Sequence, residues 1–162
     1  MRFSSSSPTL LKTAVYASPI GAVLLVASDI GLREISFLST NSEQEFSHDT
    51  GLDPFYDQIK EYFEGSRKQF DLPLDPVGTD FQKAVWTAAT RIPYGQTVFY
   101  EDVARRIGSP LAMRAVGTAL KMNPLWLVVP CHRVLPKSGG MGGYAGGVER
   151  KEWLLKHEQQ HS

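Results

Sequence analysis

The sequence predicts an α/β N-terminal domain, an antiparallel sheet plus one helix, followed by a mainly α C-terminal domain with a helix-turn-helix. Three observations carry this. Three short strand-type runs separated by turn signals occupy residues 13–38, a helix with one apolar face follows at 53–65, and from residue 79 onward apolar residues recur at helical spacing. The 162 residues, 42% of them hydrophobic, suffice for one ordinary domain or two small ones sharing a boundary. That boundary is placed near residue 76, giving an α/β unit over 1–76 and a second unit over 77–162.

Residues 1–10, with a serine run and Pro8, read as a loose terminus. Runs 13–16, 21–27 and 32–38 are broken at Ser18-Pro19 and Asp29-Ile30-Gly31, so they form an antiparallel meander. Residues 41–51 are polar and read as a loop. Asp53-Pro54 opens a helix carrying Phe55, Ile59, Tyr62 and Phe63 on one face and ending near Gly65. A short strand is expected over 70–72, before the proline-containing link 73–78. Thr79 or Asp80 then caps a helix whose buried stripe is Phe81, Val85, Trp86 and Ala89, up to Ile92. Pro93-Tyr94-Gly95-Gln96 breaks it. Two short helices over 100–107 and 111–121 flank Gly108-Ser109-Pro110, with Ser109 as cap and Pro110 as first helical residue, which is helix-turn-helix spacing. The second of them carries Ala112, Ala115, Gly117 and Ala119, letting its backbone approach a large surface, with Arg114 projecting. A glycine-rich segment, 139–147, holds Tyr144, and a closing helix over 148–158 turns Trp153 and Leu154 to the core.

The net charge of zero conceals an asymmetry. Residues 1–79 hold six basic and eleven acidic side chains, whereas residues 80–135 hold seven basic and three acidic. An anionic partner such as DNA would meet the second unit, although a solvated helical face accounts for such a count equally well. One cysteine excludes an internal disulfide and a thiolate-rich zinc site, and the four histidines lack metal-type spacing. No metal is therefore expected. A reducing cytoplasm fits best, and the longest apolar run near the N-terminus, 20–27, is too short to span a bilayer.

That single cysteine sits in Val128-Val129-Pro130-Cys131-His132-Arg133-Val134, after an apolar stretch, 125–129, that reads as a buried strand. A lone cysteine there is by default an inert core residue. A nucleophilic thiolate needs a neighbouring base or positive charge, and His132 and Arg133 are the adjacent candidates. Neighbours on a strand point to opposite faces, so a direct contact of Cys131 with His132 requires a turn at Pro130 or a bridging water.

The motifs Ile92-Pro93-Tyr94-Gly95-Gln96-Thr97, Arg114-Ala115-Val116-Gly117, Asn123-Pro124, Pro130-Cys131-His132-Arg133-Val134, Gly143-Tyr144-Ala145-Gly146-Gly147 and Lys151-Glu152-Trp153-Leu154-Leu155, followed by His157-Glu158, occur in one order. Over about 79–158 the chain resembles the O6-alkylguanine-DNA alkyltransferases, the methylated-DNA–protein-cysteine methyltransferases. The resemblance implies irreversible transfer of an alkyl group from O6-alkylguanine in double-stranded DNA to Cys131, with the protein consumed and no cofactor needed. It implies that His132 takes the thiol proton through a water, that Glu158 orients and charge-stabilises that imidazole, and that Tyr100 hydrogen-bonds guanine N3. Tyr144 and the Ala145 amide would address O6, the carbonyls of Cys131 and Val134 the exocyclic amine, and Lys151 would assist electrostatically. Arg114, Ala115 and Gly117 would lie in the minor groove with the arginine filling the stack behind a flipped nucleotide, and Asn123 would act as hinge. O4-alkylthymine as a second substrate, and cooperative binding of a monomer along DNA, stay open. Trp126 departs from the family's small residue or proline and bears on the pocket wall and the alkyl size accepted. Two rivals remain: a lesion sensor without transfer, and a cysteine hydrolase using Cys131, His132 and Glu158.

Overall fold

The computed structural model describes residues 10–39 and 47–162. The expected loose terminus therefore falls outside the described residues apart from Leu10, as does most of the loop expected over 41–51. Strands β1 (Lys12–Ser18), β2 (Gly21–Ala27) and β3 (Leu32–Phe37) form the antiparallel meander in the order β1-β2-β3. The pairing runs from Lys12 opposite Ala27 to Ser18 opposite Gly21, and the β2–β3 register shifts between Val26 and Ala27. Helix α1 (Asp53–Glu64) follows a 3₁₀ turn at Thr50–Leu52 and has Pro54 in its first turn. It ends on Gly65, whose φ of 86° is left-handed and whose Cα faces the His161 ring closely enough that any side chain would collide. Ile59, Tyr62 and Phe63 are buried, as the apolar face predicts, while Phe55 is only partly so.

The expected strand at 70–72 does not form. The chain pairs two residues later instead: Leu32 donates to the Pro73 carbonyl at 2.8 Å and accepts from Asp75 N at 2.8 Å. The prolines at 73 and 76 confine pairing to this short bridge, since proline offers no amide. Further along β3, Ile35 donates to Pro124 O at 2.8 Å and accepts from Trp126 N at 3.1 Å. One strand of the N-terminal sheet thus carries, on its open edge, the segment that leads to Cys131.

The remainder is mainly helical. Helix α2 (Asp80–Thr90) starts at Thr79, which forms a reciprocal capping box with Gln82, and buries Val85, Trp86, Ala88 and Ala89. Phe81, expected in that stripe, is 36% exposed because it lies in the first turn, beyond the reach of the packed helices. Trp86 Nε1 donates to Ala119 O at 2.8 Å and ties α2 to helix α4 (Met113–Lys121). Strand β4 (Val98–Phe99) leads directly into helix α3 (Tyr100–Arg106). Helix α4 starts later than expected: Ala112 N bonds Ser109 O at 2.9 Å, so 109–112 close a turn, and Ser109 and Pro110 precede the helix rather than open it. Helix α5 (Val148–His161) runs three residues beyond the expected end and buries Lys151, Leu154, His157 and Glu158. Buried residues of the sheet, α1 and all the later helices form one continuous hydrophobic cluster. No helix among the described residues is long and apolar enough to cross a membrane.

Candidate active site

The apolar run 125–129 is not a strand. Leu127 has a φ of 79°, the only left-handed non-glycine among the described residues, and Val129 N reaches back to Leu125 O at 2.9 Å. Apolar periodicity cannot separate a buried strand from a buried tight turn, and here a side chain placed upstream decides. Asn123 is buried; its Oδ1 accepts from Leu125 N at 2.8 Å, and its Nδ2 donates to Val129 O at 2.9 Å and to Cys131 Sγ at 3.4 Å. A left-handed leucine costs on the order of 1–3 kcal/mol, and the Asn123 clamp with Leu127 buried in the core offsets it.

Beyond Pro130 the chain enters a 3₁₀ turn, Cys131–Arg133, then strand β5 (Val134–Leu135). β5 pairs in parallel with β4, Val98 opposite Val134. The pairing fixes Tyr100, the first residue after β4, against the segment that carries the cysteine. The 3₁₀ turn also replaces the strand alternation, setting successive side chains about 120° apart rather than on opposite faces.

His132 is fully buried, with Nε2 2.7 Å from Glu158 Oε2. Arg133 grips the same carboxylate in a fork, Nε to Oε1 at 2.8 Å and a terminal nitrogen to Oε2 at 3.0 Å, while its other nitrogen donates to Ile92 O at 2.7 Å. Arg133 is thus turned away from the thiol, and of the two adjacent activators expected for Cys131 only His132 remains. The Gly95 amide at 3.3 Å and the Tyr62 hydroxyl at 2.6 Å complete the donors to Glu158. Burial pushes the Glu158 carboxyl up, but the hydrogen bond from His132 and the Arg133 fork outweigh it and hold the group well below the usual carboxylate range. Burial lowers the His132 pKa against the pull of Glu158, with Arg133 and Lys151 adding to the lowering. A neutral imidazole facing a carboxylate places its proton on Nε2. Nδ1 then carries the lone pair, and it is buried without a protein partner.

Cys131 is 7% exposed. Burial raises its pKa, opposed by the Asn123 hydrogen bond and by Lys151, so the resting group is a thiol that needs a base. Lys151 is not a solvated helix charge: it is fully buried, its Nζ 2.8 Å from Val134 O and 3.3 Å from Gly143 O. Burial brings its pKa down to about 8, against the pull of Cys131. The Val134 carbonyl therefore already accepts one hydrogen bond, and the Cys131 carbonyl accepts from Val134 N.

Cys131 lies in a cleft of about 10 Å³ bounded by Tyr100, Gly117, Lys121, Tyr144 and Ala145 among others, space for about one water. Tyr144 Oη is buried there without a protein partner. The cleft shares Tyr100, Gly117, Lys121 and Gly143 with an open groove of about 660 Å³ whose far wall includes Met113 and Arg114. Arg114 and Ala115 are exposed on α4, and Gly117 faces the Tyr100 ring. Gly142 (φ 69°) sits so near Pro136 that a side chain would crowd that ring. Trp126 does not line the cleft; it lies tilted between Phe37 (5.6 Å) and Tyr144 (6.1 Å) and donates to Asn123 O, backing the tyrosine. The sequence-selected residues Cys131, His132, Glu158, Tyr100, Tyr144, Ala145, Val134, Lys151 and Asn123 thus converge, with Arg114, Ala115 and Gly117 on the adjoining helix. Tyr62 and Lys121 join them without having been singled out as site residues; a core tyrosine and a surface lysine carry no local signal.

Fold and site define a two-unit protein with one buried thiol, backed by a histidine–carboxylate pair, at the end of a groove walled by a helix pair. A family model described as "6-O-methylguanine DNA methyltransferase, DNA binding domain" matches residues 80–160, and one described as "6-O-methylguanine DNA methyltransferase, ribonuclease-like domain" matches residues 11–76. A methylated-DNA–protein-cysteine methyltransferase of Methanosarcina acetivorans is 43% identical over 155 residues, 90% of this chain and 96% of the relative. The crystal structure of the Mycobacterium tuberculosis O6-methylguanine methyltransferase superposes with a TM-score of 0.85 at 39% identity, covering 94% of this chain and 95% of that one. The M. tuberculosis protein in complex with DNA gives 0.83 at 41% identity, covering 94% of each chain. The chain belongs to the 6-O-methylguanine-DNA methyltransferase family, the methylated-DNA–protein-cysteine methyltransferases.

Proposed function

We propose that the protein repairs alkylated double-stranded DNA by moving the alkyl group of O6-alkylguanine onto Cys131 in one irreversible displacement. The S–C bond forms as the C–O6 bond breaks, the thiol proton passes through a water to His132 Nδ1, and guanine leaves with the C–O electron pair. Glu158 holds the imidazole and balances the charge it gains, as an acid-supported histidine does in hydrolases. Charge spreading into the leaving base is met by the Tyr100 hydroxyl at N3 and by Tyr144 and the Ala145 amide at O6. Lys151 favours the thiolate electrostatically. The observation that carries the reading is that the residue following the single cysteine is a neutral, buried His132 whose Nε2 is committed to Glu158 and whose Nδ1 is unpartnered.

An O6 atom inside a duplex is out of reach of a thiol at the end of a groove, so the nucleotide is flipped out. We read α3 and α4 as a helix-turn-helix with α4 in the minor groove, Arg114 filling the vacated stack and Ala115 and Gly117 allowing close approach. The complex of the M. tuberculosis relative with DNA supports DNA as the partner. A cleft of about 10 Å³ admits no purine, so its walls open when a base enters. The unit boundary at 76/77 then separates a supporting α/β unit from one that reads DNA. The test is to mix the protein with excess duplex bearing radiolabelled O6-methylguanine. One methyl per molecule on Cys131 with no further turnover is expected; binding without label indicates a lesion sensor, and repeated turnover a hydrolase.

A further inference from the structure

Helix α1 belongs to the N-terminal unit, yet it reaches the base that serves Cys131. Tyr62 is fully buried on α1, and its hydroxyl donates to Glu158 Oε2 at 2.6 Å, the same oxygen that accepts from His132 Nε2 at 2.7 Å. One residue earlier on α5, His157 Nε2 donates to the Tyr62 backbone carbonyl at 2.7 Å. Both ends of one residue are therefore latched to two successive residues of α5. Its ring is held by Phe63, Phe70, Tyr94 and His157, with centroids 5.4 to 6.2 Å away. Burial and the Glu158 charge keep the phenol protonated, so it acts only as a donor.

Resting on the alkyl-transfer reading, we propose that Tyr62 is a positioning residue of the N-terminal unit that sets the basicity of His132 through the oxygen of Glu158 they share. Hydrogen bonds to an anion compete: each donor on Oε2 draws off charge and weakens its hold on the others. Three donors meet there, Tyr62, His132 and one nitrogen of Arg133. Arg133 is a permanent cation, so the phenol is the adjustable member. With it in place Oε2 orients the Nε2–H without over-stabilising the imidazolium, and His132 stays neutral with Nδ1 ready to take the thiol proton. The other groups facing this centre are Lys151 on α5, Tyr94 after α2, and Cys131 and Tyr144 at the cleft.

The sign follows. Tyr62→Phe leaves more charge on Oε2, the imidazolium gains stability, and the neutral fraction of His132 falls at a given pH. The acid limb of the alkylation rate moves to higher pH.

The experiment is the rate of benzyl transfer from free O6-benzylguanine to Cys131, measured between about pH 5 and 9. Expected for Y62F is an acid limb raised by about half a pH unit, which lowers the rate on that limb about threefold and leaves the rate above about pH 8 little changed. A rate lowered equally at every pH, or an unmoved limb, assigns Tyr62 to packing alone and overturns the proposal. Should Y62F fail to fold, fluorotyrosine at position 62 keeps the shape and makes a stronger donor; the limb then moves down, and an unmoved limb overturns the proposal. Wild-type protein that leaves Cys131 unalkylated both by O6-benzylguanine and by an O6-methylguanine duplex overturns the alkyl-transfer reading and this inference together, whereas wild type active on either substrate, with an unmoved limb in the variants on that substrate, overturns this inference alone.

Discussion

The two faces of the His132 imidazole differ in how completely their polar groups are met. On the Nε2 side Glu158 receives Tyr62, His132, Gly95 and both prongs of Arg133, drawn from α1, the loop after α2 and the 3₁₀ turn. On the Nδ1 side, buried polar atoms stand without protein partners: Nδ1 itself and the Tyr144 hydroxyl, beside a thiol whose acidity burial suppresses. Leaving such atoms unpaired costs on the order of 1–3 kcal/mol each. The saturated side is rigid because its donors come from three separate parts of the chain, and the unsaturated side is where water, substrate and proton transfer belong. The protein concentrates its stability behind the base and leaves the reacting side underserved.

Breaking the saturated side has the largest structural effect. Glu158→Gln leaves the Arg133 guanidinium buried without its counter-ion, and chemical denaturation should show a loss of about 3–5 kcal/mol. Stopped-flow alkylation of the same variant should be slower by about 10²-fold, because the imidazolium is no longer balanced. Next comes the clamp on the reacting side. Asn123→Ala removes hydrogen bonds to Leu125 N, Val129 O and Cys131 Sγ and leaves the left-handed Leu127 unsupported, for an expected loss of about 2–4 kcal/mol in a urea titration.

Glu158 and His132 both have lowered pKa values in the folded chain, so the unfolded chain binds more protons at acid pH. Their stabilisation is complete above the unfolded values, roughly 6.5 for the imidazole and 4.3 for the carboxylate, and is lost as pH falls below each. Lys151, lowered to about 8, behaves likewise at the alkaline end. From about pH 8 toward its unfolded value the unfolded chain holds the extra proton, and stability rises with pH. The raised thiol pKa works against it, so the measurement belongs in Cys131→Ala. Thermal melts there should show a gain of about 1–2 kcal/mol between about pH 8 and 9.5, and Lys151→Met should abolish the rise. The smallest effect is expected at Trp126, which backs Tyr144 without touching the cleft. Trp126→Phe should leave the ratio of benzyl to methyl transfer within about threefold, and a larger change would place the indole in the substrate wall.

Much of this was legible in the sequence because the signals were local. The meander followed from alternation and two turns, α1 from its apolar face and Gly65, and the cluster of Cys131, His132, Tyr100, Asn123, Lys151 and Glu158 from motifs read together. What escaped depends on distant partners. The run 125–129 looked like a strand because its composition is that of one, while its turn is imposed by the Asn123 side chain. Arg133 seemed poised to activate the cysteine beside it, yet Glu158, 25 residues away, offered a buried fork. Tyr62 lies 96 residues from Glu158 and read as one more core aromatic.

The protonation of His132, neutral with its proton on Nε2, can be observed directly. In ¹⁵N-histidine-labelled protein at neutral pH, NMR should find His132 uncharged, with Nε2 protonated and Nδ1 bare. A proton on Nδ1, or an imidazolium at that pH, would contradict the account.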